Sequence, residues 1–128
     1  MIHEFRLYKL HPGKLAAFKE RFEQVSVPLF EQMGIRLLGF WEIGRFRETE
    51  PQVTGGGVFL PAQGAHFGQD QIAYLVAFDS IEQRDAAWSA WVQDERWLEA
   101  KRLSEADGPL VADESCHLLS PTTFSPLE

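Results

Sequence analysis

Apolar and polar residues alternate along Ile2 to Leu10, which predicts a β-strand at the start of the chain. Successive side chains of a strand point to opposite faces, so Phe5 and Leu7 share one face. The residues on the other face are Glu4, Arg6 and Tyr8. If the apolar pair faces the helices, the polar triplet faces away from them, and the expected position of the triplet depends on this condition.

A helix is predicted from about Leu15 to Gly34, because apolar residues recur every three or four positions. Pro28 should kink or break this helix, since proline lacks an N–H donor and collides with the preceding turn. Gly34 is suited to end it, since helices commonly end at a left-handed glycine. Arg21 is placed among the polar residues, away from the apolar face formed by Leu15, Phe18, Phe22, Val25, Leu29 and Met33.

Two further predicted strands, Ile35 to Phe46 and Ile72 to Phe78, carry apolar residues on both faces. In the first of them, Trp41 and Phe40 fall on opposite faces. In the second, Tyr74 shares a face with the apolar residues at every second position. Strands that are covered on both sides of a sheet show this pattern.

The second half of the chain adds two helical segments and a last strand. Ser80 and Gln83 have the spacing of a capping box, which predicts a helix from Ile81 to about Val92. Asp94 is a suitable first residue for another helical segment. A short strand is predicted at about Glu114 to Leu119.

The order of the elements is β-α-β, a long loop, then β-α-α-β. This order predicts a ferredoxin-like α+β fold, in which a four-stranded antiparallel sheet carries its helices on one face. We expect one domain, residues 1–128, with an inserted loop at about residues 47–70.

Two helices can cover only one face of such a sheet, yet the strands are apolar on both faces. Burying four or five large side chains contributes on the order of 10 kcal/mol before the costs of association. We therefore expect a homodimer in which two sheets face each other around a ligand-sized interior. The alternative is that the loop at 47–70 folds back over the sheet.

Charge and cysteine content narrow the functional classes. A net charge of −7 disfavours nucleic-acid partners, which need clustered Lys and Arg. No apolar run approaches the roughly 20 residues of a membrane span, and no basic amphipathic stretch suggests a membrane surface. The single cysteine, Cys116, suits a reducing compartment. We expect a cytoplasmic protein.

The polar triplet of the first strand is the strongest candidate for chemistry. A carboxylate, a guanidinium and a phenol on one face can orient a polar substrate, and a desolvated Glu4 could act as a general base. The alternative is that Glu4 and Arg6 pair with each other or across a dimer interface, and serve only to satisfy buried charge.

The remaining reactive residues match no familiar site. The four histidines lack the spacing of metal ligands, and haem ligation by His66 or His117 is a weaker alternative. Cys116 and His117 point to opposite faces of a strand, which disfavours a nucleophilic pair. No nucleotide-binding glycine motif occurs, so no cofactor is expected. Core packing is favoured over an aromatic box for three tryptophans at helical spacing, Trp88, Trp91 and Trp97.

Several short motifs occur in a specific order along most of the chain. They are Glu4-Phe-Arg-Leu-Tyr8, Pro12-Gly13-Lys14, Pro28-Leu-Phe30, Gly39-Phe-Trp41, Arg84-Asp-Ala-Ala-Trp88 and Leu119-Ser-Pro-Thr-Thr-Phe-Ser-Pro-Leu127. In this order they resemble the NIPSNAP family. The resemblance implies a dimeric α/β-barrel, in a superfamily that also holds cofactor-independent monooxygenases, muconolactone-isomerase-like enzymes and haem proteins. The NIPSNAP branch has no generally established reaction, so no catalytic residue is carried over.

The segment at 47–70 departs from the family pattern, in which this connection is short. It contains three glycines at 55–57 followed by the apolar run Val58-Phe-Leu-Pro61. A connection of this length is uncommon unless it is functional or disordered. One interpretation is a lid that places Phe59 and Leu60 over the pocket mouth, and the other is a hairpin extension without a ligand role.

The leading functional hypothesis is a homodimer that binds a small, mainly apolar organic ligand inside the barrel. Whether it also catalyses a cofactor-independent reaction is left open. The alternative is a non-catalytic interaction or scaffold protein whose barrel is filled by its own side chains. The candidate ligand-binding residues are Glu4, Arg6, Tyr8, Trp41, Tyr74, Phe59 and His66, with Phe40 replacing Trp41 if Trp41 faces the helices.

Overall fold

Four strands form an antiparallel sheet in the computed structural model, which describes residues 1–46, 52–59 and 65–127. The strands are β1 (Ile2–Leu10), β2 (Arg36–Glu42), β7 (Gln71–Phe78) and β8 (Val111–Leu119), and the short strands between β2 and β7 are β3 (Arg45–Phe46), β4 (Gln52–Thr54), β5 (Gly57–Phe59) and β6 (Ala65–His66). The order across the sheet is β2-β7-β1-β8. Short strands pair as β3 with β6 and as β4 with β5.

The helical segments pack against this sheet. They are α1 (Leu15–Arg21), a π-helical turn (Phe22–Ser26), α2 (Val27–Met33), α3 (Ile81–Trp91) and α4 (Glu95–Ser104). The predicted ferredoxin-like α+β fold is confirmed. Within the described ranges, no helix is both long enough and apolar enough to span a membrane.

Pro28 interrupts the α-helical hydrogen bonding without ending the helix. The chain stays helical from α1 through the π-helical turn into α2, and Pro28 lies in the first turn of α2. Of the kink or break predicted at this proline, the break is absent, because a wider π-helical turn precedes it and the first turn of a helix tolerates a missing N–H. Gly34 ends α2 at φ 75°, as predicted.

The ends of α3 and α4 follow the sequence signals closely. Ser80 Oγ accepts a hydrogen bond from Gln83 N at 3.0 Å, and Gln83 Oε1 accepts one from Asp79 N at 3.0 Å. Asp94 Oδ1 accepts a bond from Arg96 N at 2.9 Å at the start of α4. Both predicted helix starts are confirmed, because each depends on contacts within one turn.

The sheet register shows which side chains face the helices. Arg6 lies opposite Tyr74 in the neighbouring strand, and Trp88 of α3 donates a hydrogen bond to Glu4. The ring of Tyr8 packs edge-on against the helical layer, with its centroid 5.6 Å from that of Phe18. The polar triplet of β1 therefore lies on the side of the sheet under the helices, which we call the helix-covered face.

The opposite side of the sheet, called the open face, carries the apolar residues of β1. The condition that Phe5 and Leu7 face the helices is not met. They point away because the charged residues of β1 find hydrogen-bond partners on α3, which the apolar pattern alone cannot indicate. Side chains on the open face include Phe5, Leu7, Trp41, Ala73, Leu75 and Ala77.

The hydrophobic core lies between the helix-covered face and the helices. It is rich in aromatic rings, and Phe22 forms its centre, with ring centroids at 4.6 Å from Phe40 and 5.0 Å from Tyr74. Other buried members of this core include Leu10, Phe18, Phe30, Ile72, Val76 and Phe78.

Candidate functional site

A cavity of about 650 Å³ lies between the helices and the helix-covered face of the sheet. This volume is within the range of pockets that hold small organic ligands. Aromatic and charged side chains line it together. The lining includes Arg6, Tyr8, Arg21, Tyr74, Trp88 and Trp97.

Glu4 is the polar residue beneath this cavity, and its side chain has no exposed surface. Its carboxylate accepts hydrogen bonds from Trp88 Nε1 at 2.8 Å and from Arg6 Nη1 at 2.8 Å. Arg84 donates two more, from Nε at 3.0 Å and from Nη2 at 3.1 Å. The carboxylate is thus held from three directions by β1 and α3.

These partners determine the ionisation of Glu4. Burial by itself would raise the pKa of the carboxyl group, but hydrogen bonds from Arg84 and Trp88, with the nearby charge of Arg6, lower it below its ordinary value of 4.5. Glu4 is therefore ionised at neutral pH and is a weak proton acceptor. The alternative interpretation, pairing of Glu4 with Arg6, is the arrangement in the structure.

Arg6 contacts Glu4 and also lines the cavity. Its side chain is 14% exposed and its guanidinium carbon lies 4.7 Å from the centre of the Trp88 ring. Its Nε donates a hydrogen bond to the hydroxyl of Tyr8 at 3.1 Å. Glu114 on β8 is the second acidic neighbour, with an oxygen 3.8 Å from Nη2. Arg6 is therefore a cation that contacts an indole ring and also lines the cavity.

Tyr8 and Tyr74 form a pair of phenols next to Arg6. Their hydroxyl oxygens are 2.8 Å apart and form a hydrogen bond. Burial raises the pKa of Tyr8 above its ordinary value of 10.0 and raises the pKa of Tyr74 well above it. Both phenols are neutral at pH 7, so they act as hydrogen-bond donors and acceptors rather than as bases.

Arg21 is a second buried cation at the cavity. Its Nη1 donates a hydrogen bond to Ser104 Oγ at 3.1 Å and lies 3.6 Å from a carboxylate oxygen of Glu105. Its guanidinium carbon is 4.8 Å from the centre of the Trp97 ring. Arg21 therefore ties the end of α1 to α4, and its placement among the exposed polar residues is wrong.

Three tryptophans form one wall of the cavity. The ring centroids of Trp91 and Trp97 are 4.7 Å apart, and those of Trp88 and Trp91 are 6.2 Å apart. Trp91 is buried in the core, as expected for core packing, but all three also line the cavity. Sequence reasoning did not place them in a site, because helical spacing is the same for a core residue and for a cavity wall.

Arg21 and Arg84 also line the cavity, and sequence reasoning did not place them in the site. Arg21 lies three residues after Phe18, on the apolar stripe of its helix, and this position is a signal of a buried cation. Arg84 lies four residues before Trp88, so both can reach one acceptor from α3.

The predicted site residues separate into two groups. The structure brings Glu4, Arg6, Tyr8 and Tyr74 together under the helices. Trp41 lies on the open face opposite Ala73 and is 48% exposed. Phe40 of β2 lies on the helix-covered face, opposite Tyr74.

The loop candidates are described only in part. Phe59 is exposed at the end of β5, and His66 in β6 pairs through the backbone with Arg45. Residues 47–51 and 60–64, which include Leu60, lie outside the described residues. Neither Phe59 nor His66 is among the residues that line the cavity, so both remain predictions.

The polar groups at the cavity suit binding and orientation of a ligand. In the described ranges of the chain, no three His, Cys, Asp or Glu side chains are grouped as metal ligands would be. Two guanidiniums and two neutral phenols offer hydrogen-bond donors, and the indole and phenyl rings beside them offer an apolar surface.

One protein-family model matches nearly the whole chain. A family model described as NIPSNAP matches residues 3–50 and 45–126. No curated protein matches the chain at a significant level.

Several solved structures are similar to this fold. An uncharacterised NIPSNAP-like domain protein from Burkholderia xenovorans is 21% identical with a TM-score of 0.67, covering 98% of this chain and 88% of that one. A NIPSNAP family protein of unknown function from Agrobacterium tumefaciens is 23% identical with a TM-score of 0.66, covering 100% of this chain and 94% of that one. Another from Agrobacterium tumefaciens is 20% identical with a TM-score of 0.67, and the coverage is 99% and 98%. At these identities the likeness concerns the fold.

Proposed function

The chain belongs to the NIPSNAP family, and from its cavity we propose that it binds a small, mainly apolar organic ligand as a homodimer. The proposal moves the site from the space between two sheets to the space under the helices of each protomer. The observation that carries it is a cavity of about 650 Å³ in which indole rings adjoin buried guanidiniums and phenols.

Arg6, Tyr8 and Tyr74 are the proposed polar contacts of the ligand, and the indole wall is the proposed apolar contact. Glu4 has the role of a positioning residue, because it has no exposed surface and holds Arg6 from below. The proposal is one of binding, since the lowered pKa of Glu4 makes this carboxylate a poor general base.

A second copy is the proposed cover of the open face. Trp41 and Leu119 on this face are nearly half exposed, and apolar surface of this kind commonly marks an interface. We also propose that residues 1–128 form one domain with an inserted segment near 47–70, in a cytoplasmic protein.

Native mass spectrometry of the purified protein tests both parts of this proposal. We expect a mass of twice the protomer, with additional mass from a co-purified small molecule that is released on unfolding. Ser26 is buried and lines the cavity, so Ser26→Leu should fill part of it and remove the additional mass while the dimer persists.

Ser89→Leu, at an exposed position of α3 outside the cavity, is the matched control and should retain the bound molecule. Circular dichroism establishes that both variants fold. A monomeric wild-type protein contradicts the dimer, and equal retention of the molecule by both variants contradicts the site.

A further inference from the structure

Arg6 shares its closest acidic partner with a second arginine. Glu4 is a single buried carboxylate, yet it pairs both with Arg6 at 2.8 Å and with Arg84 at 3.0 Å. Arg84 has a second close partner in Asp85, at 2.9 Å. The second acidic neighbour of Arg6 is Glu114, which is farther away, at 3.8 Å, and 52% exposed. Arg6 thus shares its one close carboxylate with Arg84, and its other acidic neighbour lies beyond hydrogen-bond distance, so this position can accept a further anion.

The donors of Arg6 have a geometry that suits a carboxylate. A guanidinium carries five N–H donors in a plane, and a carboxylate can accept two parallel hydrogen bonds from one edge. Arg6 uses Nε for Tyr8 and one N–H of Nη1 for Glu4. In the part of the chain that the structure describes, the contact of Nη2 with Glu114 is longer than a hydrogen bond. The Nη1–Nη2 edge is therefore suited to two ligand oxygens.

The surroundings of this edge indicate the rest of the ligand. The guanidinium carbon of Arg6 lies 4.7 Å from the centre of the Trp88 ring, and the ring of Trp91 meets that of Trp88 nearly at a right angle, at 88°. Trp97 extends the same wall. A molecule held at the edge of Arg6 therefore lies beside indole rings, which contact a flat aromatic body over a large apolar area.

We propose that the ligand of this cavity is an aromatic carboxylate, with its carboxylate on the Nη1–Nη2 edge of Arg6 and its ring against Trp88 and Trp91. Glu114, whose oxygen lies 3.8 Å from Nη2, competes weakly for this position and is displaced by the ligand. This inference rests on the proposed function, since it specifies the chemical class of ligand for the same cavity.

Calorimetric titration of the full-length protein with 2-naphthoate and with 2-naphthamide at pH 7 tests the proposal. The two probes share a ring system and differ in charge. We expect the carboxylate to bind at least about tenfold more tightly than the amide, because only the carboxylate forms charge-assisted hydrogen bonds with Arg6. Arg6→Gln should remove this preference, and it leaves Glu4 with its bonds from Arg84 and Trp88.

Glu114→Gln makes the sharper test, because it should change affinity in the opposite direction. Removing the competing carboxylate should tighten binding of 2-naphthoate by about three- to tenfold and leave 2-naphthamide unchanged. Glu99→Gln is the matched control, since Glu99 is 56% exposed and pairs with Arg102 away from the cavity. It should alter neither affinity.

The outcomes separate this inference from the proposed function. Equal affinity for the two probes, a preference that survives Arg6→Gln, or weaker naphthoate binding in Glu114→Gln would overturn the aromatic carboxylate and leave the cavity as a ligand site. Failure of both probes to bind, together with no co-purified molecule in native mass spectra, would overturn both.

Discussion

The helix-covered face of the sheet buries charged residues of β1, whereas the open face leaves apolar residues of β1 partly exposed. On β1, the helix-covered face holds Glu4 and Arg6, and the open face holds Phe5 and Leu7. Glu4 is fully buried although it is charged, and Phe5 and Leu7 are only partly buried in the protomer although they are apolar. The comparison teaches that hydrogen-bond partners, as well as hydrophobicity, determine which face of this strand is covered.

The two faces also differ in what they offer a partner. Under the helices, hydrogen-bond partners within the protomer hold the charged groups, which surround a cavity. The open face presents apolar side chains, including Phe5, Leu7 and Trp41, interrupted by the small residues Ala73 and Ala77. The first arrangement suits a small molecule and the second suits another flat apolar surface.

Glu4→Gln should give the largest loss of stability, because it removes the buried charge that two guanidiniums share. Loss of one partner from a buried ion pair destabilises proteins by about 3–5 kcal/mol. Urea unfolding followed by circular dichroism measures this loss. Glu99→Gln, at an exposed ion pair on α4, should leave the free energy of unfolding unchanged. A Glu4→Gln protein as stable as wild type would mean that the ion pairs beneath the cavity contribute nothing.

Leu7→Asp should weaken the proposed dimer, because it places a charge in the middle of the open face. Leu7 pairs with Ala73 on one side and with Ser115 on the other, so it is central in the sheet. We expect the dissociation constant to rise by on the order of 100-fold, as for a central interface residue. Analytical ultracentrifugation over a concentration series measures the change.

Leu103→Asp is the control for this substitution, since Leu103 is an exposed leucine on α4, away from the sheet. It should leave the dimer intact. Equal dissociation constants for the two variants would show that the open face takes no part in association.

Local signals allowed most of the fold to be predicted. Gly34, Ser80 and Asp94 mark helix boundaries through contacts within one turn, and each boundary is confirmed. Strand β8 begins at Val111, three residues before the predicted start at Glu114, because its pairing with β1 is a tertiary contact that the local sequence does not record.

The site was predictable only in part, for a physical reason. Glu4, Arg6 and Tyr8 were recognised as a group because alternation places them on one face. The direction of that face depends on Arg84 and Trp88, which are 80 and 84 residues from Glu4 in the sequence. A periodic pattern records which residues lie together, but not which element covers them.

Ionisation of Glu4 should make the stability that the helix-covered face contributes depend on pH, with a smaller effect than the substitutions above. Its pKa in the folded protein is lowered from 4.5, so its stabilising effect is complete above about pH 4.5 and is lost as pH falls through the folded value. As the pH falls below 5, we expect the free energy of unfolding to decrease more in the wild-type protein than in Glu4→Gln. The loss common to both proteins reports other groups, such as Glu105, whose pKa is lowered too. Parallel pH profiles would contradict the role of Glu4.

The smallest expected effect is a change in the pKa of a tyrosine, and it reports on the helix-covered face alone. The chain has two tyrosines, and both lie in the pair beside Arg6, so absorbance of tyrosinate follows this pair directly. Burial raises the pKa of both, and we expect neither to ionise near pH 10 until the protein unfolds. In Tyr74→Phe the pKa of Tyr8 should rise further, because the hydrogen bond from Tyr74 that stabilises its phenolate is lost. The same titration in urea should return Tyr8 to its ordinary value of 10.0 and serves as the control. Ionisation of Tyr8 near pH 10 in the folded variant would mean that the phenol pair is open to water, and the helix-covered face would then lose the enclosed character that distinguishes it from the open face.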